Sequence, residues 1–522
     1  MKKLPIGIQT FSELIRENYL YIDKTREIYK LLANGGKHYF LSRPRRFGKS
    51  LLLSTLKEIF SGNKKLFEGL WIYDKIEWKR HPVLHIDFSR ISYKTPEMLE
   101  ESLVRMIDRF SRNYNVKLSP GGDSRDRFGE LIEQIGREEK VVILVDEYDK
   151  PIIDFLDNID TAKKNRSILK DFYGIIKGMD EYIKFAFLTG VSKFSRVSVF
   201  SGLNNLNDIT IDDHFAALLG YTQDELLSYF GDRMETLSKK LDIAEDDLLD
   251  HLKRWFNGYS WDGITFLYNP FSILNLFAKN RFGNYWFASG TPTFLINHIK
   301  NKDKDIMELE EEEVDESMFE SYDIENLEVV SLLFQTGYLT IKGIKPVGIK
   351  SKYILSYPNE EVKESFLKHF LADYSADEPG TIGAKILDLV DSIRNKKLET
   401  FFTIIRSIYA AIPSHIFIKG KEAYYHTIIY LILTLLGVSV DAEVHTNKGR
   451  IDAVVNTDEN IYIMEFKMGT SAEALAQIEN MKYHEKFLSS GKSILLVGVG
   501  FDEKERNVSQ YEVKPFVGMQ PK

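Results

Sequence analysis

The sequence predicts a multidomain α/β protein: a parallel sheet with helices, then a helical lid, a winged-helix-like middle segment and a smaller C-terminal α/β domain. Three observations carry this reading. Short apolar runs alternate with amphipathic stretches over the first 200 residues. A strand-to-helix junction holds RPRRFGKS at residues 43–50, and hairpin patterning returns after residue 438.

In order, HYFLS (38–42), VLHIDFS (83–89), VVILVD (141–146) and FAFLT (185–189) read as buried strands. SLLLSTLKEIF (50–60), EMLEESLVRMIDRF (97–110) and RSILKDFYGIIKGM (166–179) read as helices between them. That alternation predicts a parallel sheet covered on both faces. Residues 220–300 are mostly helical and aromatic, broken by the turn-rich FNGYSWDG (256–263). LEVVSLLFQTGYLTIKGI (327–344) reads as a helix, a stop at Gly337 and a strand, and SKYILSYP (351–358) as its partner strand. The last third holds helices, then strands in 438–455 and 460–468, a helix near 472–488 and a strand at 493–500.

The 522 residues are enough for roughly three domains. With 43% apolar and 13% aromatic residues, wholesale disorder is excluded. The absence of cysteine excludes disulfides and thiolate-held zinc or iron–sulfur sites. MKKLPIGIQTF lacks the apolar stretch of a signal peptide, and TIIYLILTLLGVSV (427–440) is shorter than a bilayer crossing and reads as a buried helix. A cytoplasmic protein with no membrane partner is expected. The net charge of −8 is local: residues 303–328 hold 13 acidic residues and one basic, leaving 68 basic against 64 acidic elsewhere. This segment is expected to be a solvated helix face or linker, and the charge balance leaves a nucleic-acid partner open.

In RPRRFGKS, backbone N–H groups and a helix N-terminus can surround phosphates. Arg45, Arg46, Phe47, Gly48, Lys49 and Ser50 form that loop, Lys49 reaching the β- and γ-phosphates and Ser50 holding Mg²⁺. Arg43 stands where the generic loop has its first glycine. VVILVDEYD ends a strand in Asp146 and Glu147, the first suited to the metal's water shell and the second to polarising an attacking water. Thr189 or Ser192, after the FAFLT strand, would sense the γ-phosphate. Arg196 or Arg281 would serve as an arginine finger.

A second constellation joins GRIDAVV (449–455) to YIMEFKM (462–468). Asp452 and Glu465 fall on adjacent strands, and period-two alternation puts Lys467 on the face of Glu465. Two carboxylates and the carbonyl of residue 466 form a hard oxygen site for Mg²⁺ or Mn²⁺. Lys467 would orient water or stabilise developing charge. A salt-bridged surface hairpin is the plain alternative.

The run LPIGIQTFSELIRENYLYIDKTREI, with RPRRFGKS, DEYDKP, WFNGYSW, YNPFS, YWFASGTPTFL, LLFQTGYL and YPNEEV, resembles the AAA-ATPase-like family, in which Arg43 is usual and a C-terminal PD-(D/E)XK nuclease domain is common. Patterning and resemblance together give a P-loop NTPase domain at 1–218, a helical lid at 219–300, an acidic linker and winged-helix-like segment at 301–375, and a nuclease-like domain at 376–522. The resemblance implies ATP and Mg²⁺ as cofactors, with Mn²⁺ open at the nuclease site. Nucleic acid is the implied substrate, DNA favoured over RNA, and a homo-oligomer is left open. In the YIDKT signature, Tyr21, Asp23 and Lys24 either close over the base or ribose or, for Tyr21, pack. Trp286 and GTPTF (290–294) read as core and turn. The GRID and EFK segments resemble the PD-(D/E)XK superfamily, which implies a further metal-binding glutamate, Glu422 or else Glu443. Gln477 is similar to the substrate-side glutamine of the RecB-like branch, but Tyr483 lies six residues on rather than four. Lys482, Lys486 and Lys492 either meet phosphates or form a solvated face. The implied activities are ATP binding with hydrolysis and metal-dependent nucleic-acid cleavage, and because both modules share one chain ATP is expected to gate the second site. The alternative is an ATP-controlled switch or adaptor whose nuclease-like domain binds without cleaving.

Overall fold

A computed structural model describes residues 1–516 except 194–198, 201, 287–292, 303–305, 307–308, 321–326, 413–421, 438 and 447–448. Side chains are not described at 293–294, 301, 320, 422–424, 426, 439–446 and 449–451. The chain forms two compact units, one of residues 1–304 and 308–363, the other of 305–307 and 364–522.

The first unit is built on a five-stranded sheet, β1 (His38–Ser42), β2 (Val83–Asp87), β3 (Val141–Asp146), β4 (Ile183–Gly190) and β5 (Asn207–Asp208), in the order β2-β3-β4-β1-β5. All its pairings are parallel. Every residue of β1 and β3 is buried, as central strands covered on both faces require. The order leaves one strand, β4, between β1 and β3, so the loop after β1 and the carboxylates after β3 meet at the same sheet edge. The two-residue β5 is too short to carry a periodic signal and is absent from the sequence reading.

The helical region has its own core, where Leu226 and Phe230 of helix Gln223–Leu241 meet Leu252 and Phe256 of helix Glu245–Phe256 and Ile273 and Phe277 of helix Pro270–Lys279. Thr222 and Glu225 form a capping box at the first of these helices. The winged-helix-like reading holds: helix Val329–Thr336 stops at Gly337, and β7 (Thr340–Val347) and β8 (Lys350–Ser356) form an antiparallel hairpin. The acidic segment is more than a linker. Its residues Glu312–Asp315 form β6, paired antiparallel with β8, and Glu313 bonds Lys345 and Lys352 at 3.1 and 2.6 Å. Opposite charges across the strands offset the low strand propensity of glutamate.

The second unit carries β9 (Ser439–Thr446), β10 (Gly449–Asn456), β11 (Asn460–Met468), β12 (Ser493–Asp502) and β13 (Asn507–Pro515), ordered β13-β12-β11-β10-β9. Only the β11–β12 pairing is parallel. The apolar run expected as one helix is divided: helix Glu422–Leu435 ends, Gly437 turns the chain at φ 59°, and β9 begins. The expected helix near 472–488 likewise breaks after Ser471–Met481, where Lys482 is left-handed at φ 52°, and continues as a 3₁₀ segment from Tyr483. β13 was not legible because it is a solvated edge strand, with Val508 its one buried residue. Among the described residues no helix is long and apolar enough to cross a membrane.

Candidate nucleotide and metal sites

The loop between β1 and helix Lys49–Phe60 turns through Arg46 at φ 69° and Gly48 at φ 92°. Lys49 folds back into it, donating to the carbonyls of Arg43 and Pro44 at 2.8 and 2.9 Å. Burial pushes this ammonium down to about 8, against the opposing charges of Asp146, Asp149 and Glu147. Burial pushes Asp146 up to about 6, and the Ser50 hydroxyl hydrogen-bonds it. Glu147 is left-handed at φ 51°, and its Oε2, 3.5 Å from Lys150, has no hydrogen-bond partner among the described residues. A serine hydroxyl on a desolvated carboxylate, with a second carboxylate beside it, is a donor set that fits Mg²⁺.

Arg43 does not leave the loop open as glycine would. Its buried guanidinium donates to the carbonyls of Ser42 and Thr210 and lies 3.9 Å from the Trp261 ring centroid. Burial pushes it down to about 9, opposed by Asp208 and Asp262. Arg45 and Arg46 are exposed, Arg46 lying 4.5 Å from the Phe271 ring. The Phe47 ring is core, against Tyr259 and Trp261 at 4.8 and 5.3 Å, so only its backbone is open to a phosphate.

Thr189 donates to the Leu41 carbonyl at 2.8 Å, and Ser192 to Asp149 at 2.7 Å, so both candidate sensors have their protons engaged. Asp149 is the residue that sequence reasoning missed. Its buried Oδ2 also accepts from the N–H groups of Val191 and Ser192 at 2.9 and 2.6 Å, tying the end of β3 to the loop after β4. The signal was present in DEYD, a third carboxylate three residues after Asp146. Arg281 is exposed, and Arg196 lies outside the described residues.

Beside the loop lies a mostly apolar cleft, lined by Tyr21, Phe47, Gly48, Gly220, Tyr221 and Pro270 among others. Tyr21 also packs edge-on against Phe11 at 5.1 Å. Asp23 is occupied in holding the N–H groups of Thr25 and Trp71 at 2.9 and 2.8 Å, and Lys24 is paired with Glu225 at 2.7 Å. The winged-helix-like segment reaches the loop directly. A Cβ at Gly337 would stand 2.6 Å from Pro44, so glycine is required there for close approach as well as for its φ of 91°. Gln335 accepts from the Lys193 N–H at 2.9 Å. Trp286, expected as core, also donates to the Arg45 carbonyl at 3.2 Å, and residues 290–292 of GTPTF lie outside the described residues. Glu361 accepts from the N–H groups of Tyr285 and Trp286 at 2.5 and 2.8 Å and from Ser272 at 2.7 Å.

In the second unit, Asp452 on β10 accepts from the Phe466 N–H of β11 at 2.8 Å. Glu465 is buried; Oε1 accepts from Gln477 and lies 3.9 Å from Lys467, while Oε2 has no hydrogen-bond partner among the described residues. Burial pushes Glu465 up to about 8, and the Asp452 charge adds to it. A buried, orphaned carboxylate oxygen repelled by a neighbouring carboxylate fits a divalent cation. Tyr483 joins the group despite its spacing: the break at Lys482 brings its hydroxyl to Gln477, and burial raises its pKa. Glu422 opens its helix and Glu443 lies on β9, but their side chains are outside the described residues. Lys492 is used structurally, on Asn456 and Thr457 at 2.8 and 2.7 Å, whereas Lys482 and Lys486 are on the surface.

A parallel sheet with a phosphate loop after β1 and an acidic pair after β3 defines a P-loop ATPase-like fold, and the second unit's mixed sheet with its Asp–Glu–Lys cluster defines a PD-(D/E)XK-like one. Comparison agrees: the family described as predicted AAA-ATPase matches residues 5–200, and the PD-(D/E)XK nuclease superfamily matches residues 420–511. The chain is 38% identical over 525 residues, 98% of its length and 99% of the relative's, to an "Uncharacterized protein in vnfD 5'region" of Azotobacter chroococcum mcd 1. The chain belongs to the AAA-ATPase-like family with a C-terminal PD-(D/E)XK nuclease-superfamily domain.

Proposed function

We propose that the protein binds and hydrolyses ATP at the Lys49 loop and cleaves nucleic acid, DNA in preference to RNA, at Asp452, Glu465 and Lys467. The observation that carries the reading is the pair of desolvated carboxylates, Asp146 and Glu465, each pushed upward by burial within reach of a cation or hydroxyl. Such groups are costly to keep in a fold that does not use them.

At the first site the exchange of Lys49 from loop carbonyls to phosphate oxygens would accompany binding, the nucleoside taking the apolar cleft beside Phe47. Ser50 and Asp146 would hold Mg²⁺, and Glu147 would take the proton of the attacking water. Thr189 is assigned to the γ-phosphate side. At the second site Asp452 and Glu465, with Glu422 in reserve, would hold Mg²⁺ or Mn²⁺, which supplies charge neutralisation and Lewis acidity. Lys467 orients the nucleophile there, and Gln477 holds Glu465 in place. The four-part division at 218, 300 and 375 is retained as a functional one, with ATP binding gating access to the nuclease-like domain.

The test is cleavage of labelled DNA and RNA with Mg²⁺ or Mn²⁺, with and without ATP. The reading requires cleavage that Asp452→Ala and Lys467→Ala both remove and that Lys49→Ala alters. ATP turnover without cleavage under any condition would transfer the assignment to an ATP-controlled switch.

A further inference from the structure

Tyr259, Trp261 and Glu361 of WFNGYSW and YPNEEV brace the phosphate loop and its surroundings, but Asn257, Gly258, Pro358 and Asn359 of the same motifs take no part in the ATP or nuclease sites. The fold brings them together. A Cβ at Gly258 would collide with the Pro358 carbonyl, so the two segments touch backbone to backbone. Lys342 of β7 clasps them, donating to the carbonyls of Pro358 and Gly258 at 2.6 and 3.3 Å. Above this junction opens a wide cleft, bordered by the C-terminal turn of helix Glu245–Phe256, the start of β7 and the Tyr357–Glu360 segment.

The cleft's chemistry is that of an anion site. Lys342 and Arg254 line it, and neither has a carboxylate partner among the described residues. Lys253 lines it too, its carboxylate neighbour Asp250 being 3.8 Å away on the surface. Two glutamates are present: Glu310 is neutralised by Lys363 at 2.7 Å, and Glu360 is exposed. Lys342 is half-buried, and burial alone pushes its ammonium down to about 8, a penalty that an anion would relieve.

A second, independent observation points to a ligand. Asn359 is 8% exposed and lines the cleft. Its Oδ1 caps the following helix through the Val362 N–H at 3.1 Å, while its Nδ2 has no hydrogen-bond partner among the described residues. A buried amide donor left unpaired costs free energy until an acceptor reaches it. Beside it Phe266 is 37% exposed, its ring 5.8 Å from the Lys342 ammonium. Cations beside an exposed aromatic ring are the recognition chemistry of single strands, whose bases stack on the ring while the phosphates meet the cations.

We propose that the cleft bordered by Arg254, Phe266, Lys342 and Asn359 binds the phosphodiester backbone of a single-stranded nucleic acid, with one base stacked on Phe266. The inference rests on the reading that this chain acts on nucleic acid, and adds to it a binding site distinct from the metal-binding carboxylates. It assigns WFNGYSW and YPNEEV to building that site's floor.

The test uses the full chain in EDTA, so that cleavage is off, and follows the anisotropy of a labelled single strand of about 20 nucleotides over a salt series. The exposed pair Lys253→Gln and Arg254→Gln is expected to weaken binding about tenfold and to flatten the salt slope by about 1.4. Phe266→Ala is expected to weaken it about fivefold or more without changing the slope. Lys342→Gln, read beside its thermal unfolding, is expected to weaken binding in protein that remains folded. Wild-type affinity in the surface variants overturns the cleft assignment and leaves nucleic-acid action standing. A wild-type protein that binds no strand at low salt overturns both. Two further titrations decide the source of the anion: variant-sensitive binding of inorganic phosphate or of poly-glutamate, with strand binding unaffected, overturns the strand assignment.

Discussion

The guanidinium of Arg43 lies 3.9 Å from the ring centroid of Trp261, joining the phosphate loop to the lid's WFNGYSW turn. The same side chain donates to Thr210 beyond β5, and the Arg43 carbonyl accepts from Lys49 at 2.8 Å. One residue therefore links the helical region, the sheet edge and Lys49. Arg43→Lys keeps the charge but loses the planar stack and the fork. A loss of about 3–5 kcal/mol is expected, from a desolvated cation–π contact of about 2 kcal/mol and one charge-assisted bond. Urea unfolding followed by tryptophan fluorescence measures it. In a double-mutant cycle with Trp261→Leu, a coupling near zero would remove the stack from the account.

Lys49 and Glu147 are expected to separate binding from turnover. Lys49→Ala removes the cation meant for the phosphates, so a fluorescent ATP analogue should bind at least about a hundredfold more weakly. Glu147→Gln leaves that cation and the Ser50–Asp146 contact in place. It is expected to bind ATP normally and to lose turnover about a hundredfold or more, read as phosphate release. Normal turnover in Glu147→Gln would take the water-activating role from it.

The strands, and the placing of the candidate residues at their ends, were legible where burial dictates the pattern. VVILVD could be read because every position is covered, and GKS because it follows such a strand. β6 was hidden because its pairing rests on Glu313 meeting Lys345 and Lys352, a tertiary arrangement that a run of acidic residues conceals. The same holds for Asp149 and Gln335, whose partners are backbone N–H groups distant in sequence. Tyr483 was doubtful because helical spacing assumes a continuous helix, and the left-handed Lys482 interrupts it.

At the nuclease-like site metal binding and chemistry should separate in the same way. Asp452→Ala removes one of two carboxylates and is expected to abolish the heat of Mn²⁺ binding along with cleavage. Lys467 approaches Glu465 only at 3.9 Å and is 36% exposed, so Lys467→Ala should retain Mn²⁺ within a few-fold. Its cleavage rate should fall about a hundred- to a thousandfold. Loss of Mn²⁺ binding in Lys467→Ala would make the lysine a structural partner of Glu465 instead.

Glu361 gives the N-terminal unit a pH dependence that can be read without any ligand. Its carboxyl faces two backbone N–H groups, at Tyr285 and Trp286, and the Ser272 hydroxyl, and burial pushes it from the usual 4.5 up to about 7. Between those two values the folded state holds a proton that the unfolded state has released, so stability falls as pH rises. The loss is complete above the folded value and amounts to about 3 kcal/mol at most. Glu361→Gln can accept both N–H groups on Oε1 and, once the Ser272 hydroxyl turns from donor to acceptor, donate to it as a protonated carboxyl would, but it cannot ionise. The difference in unfolding free energy between Glu361→Gln and wild type should be small near pH 4.5 and should grow up to pH 7–8 in favour of the variant. Parallel stability curves across that window would mean that Glu361 is ionised in the fold, its charge carried by the three donors around it.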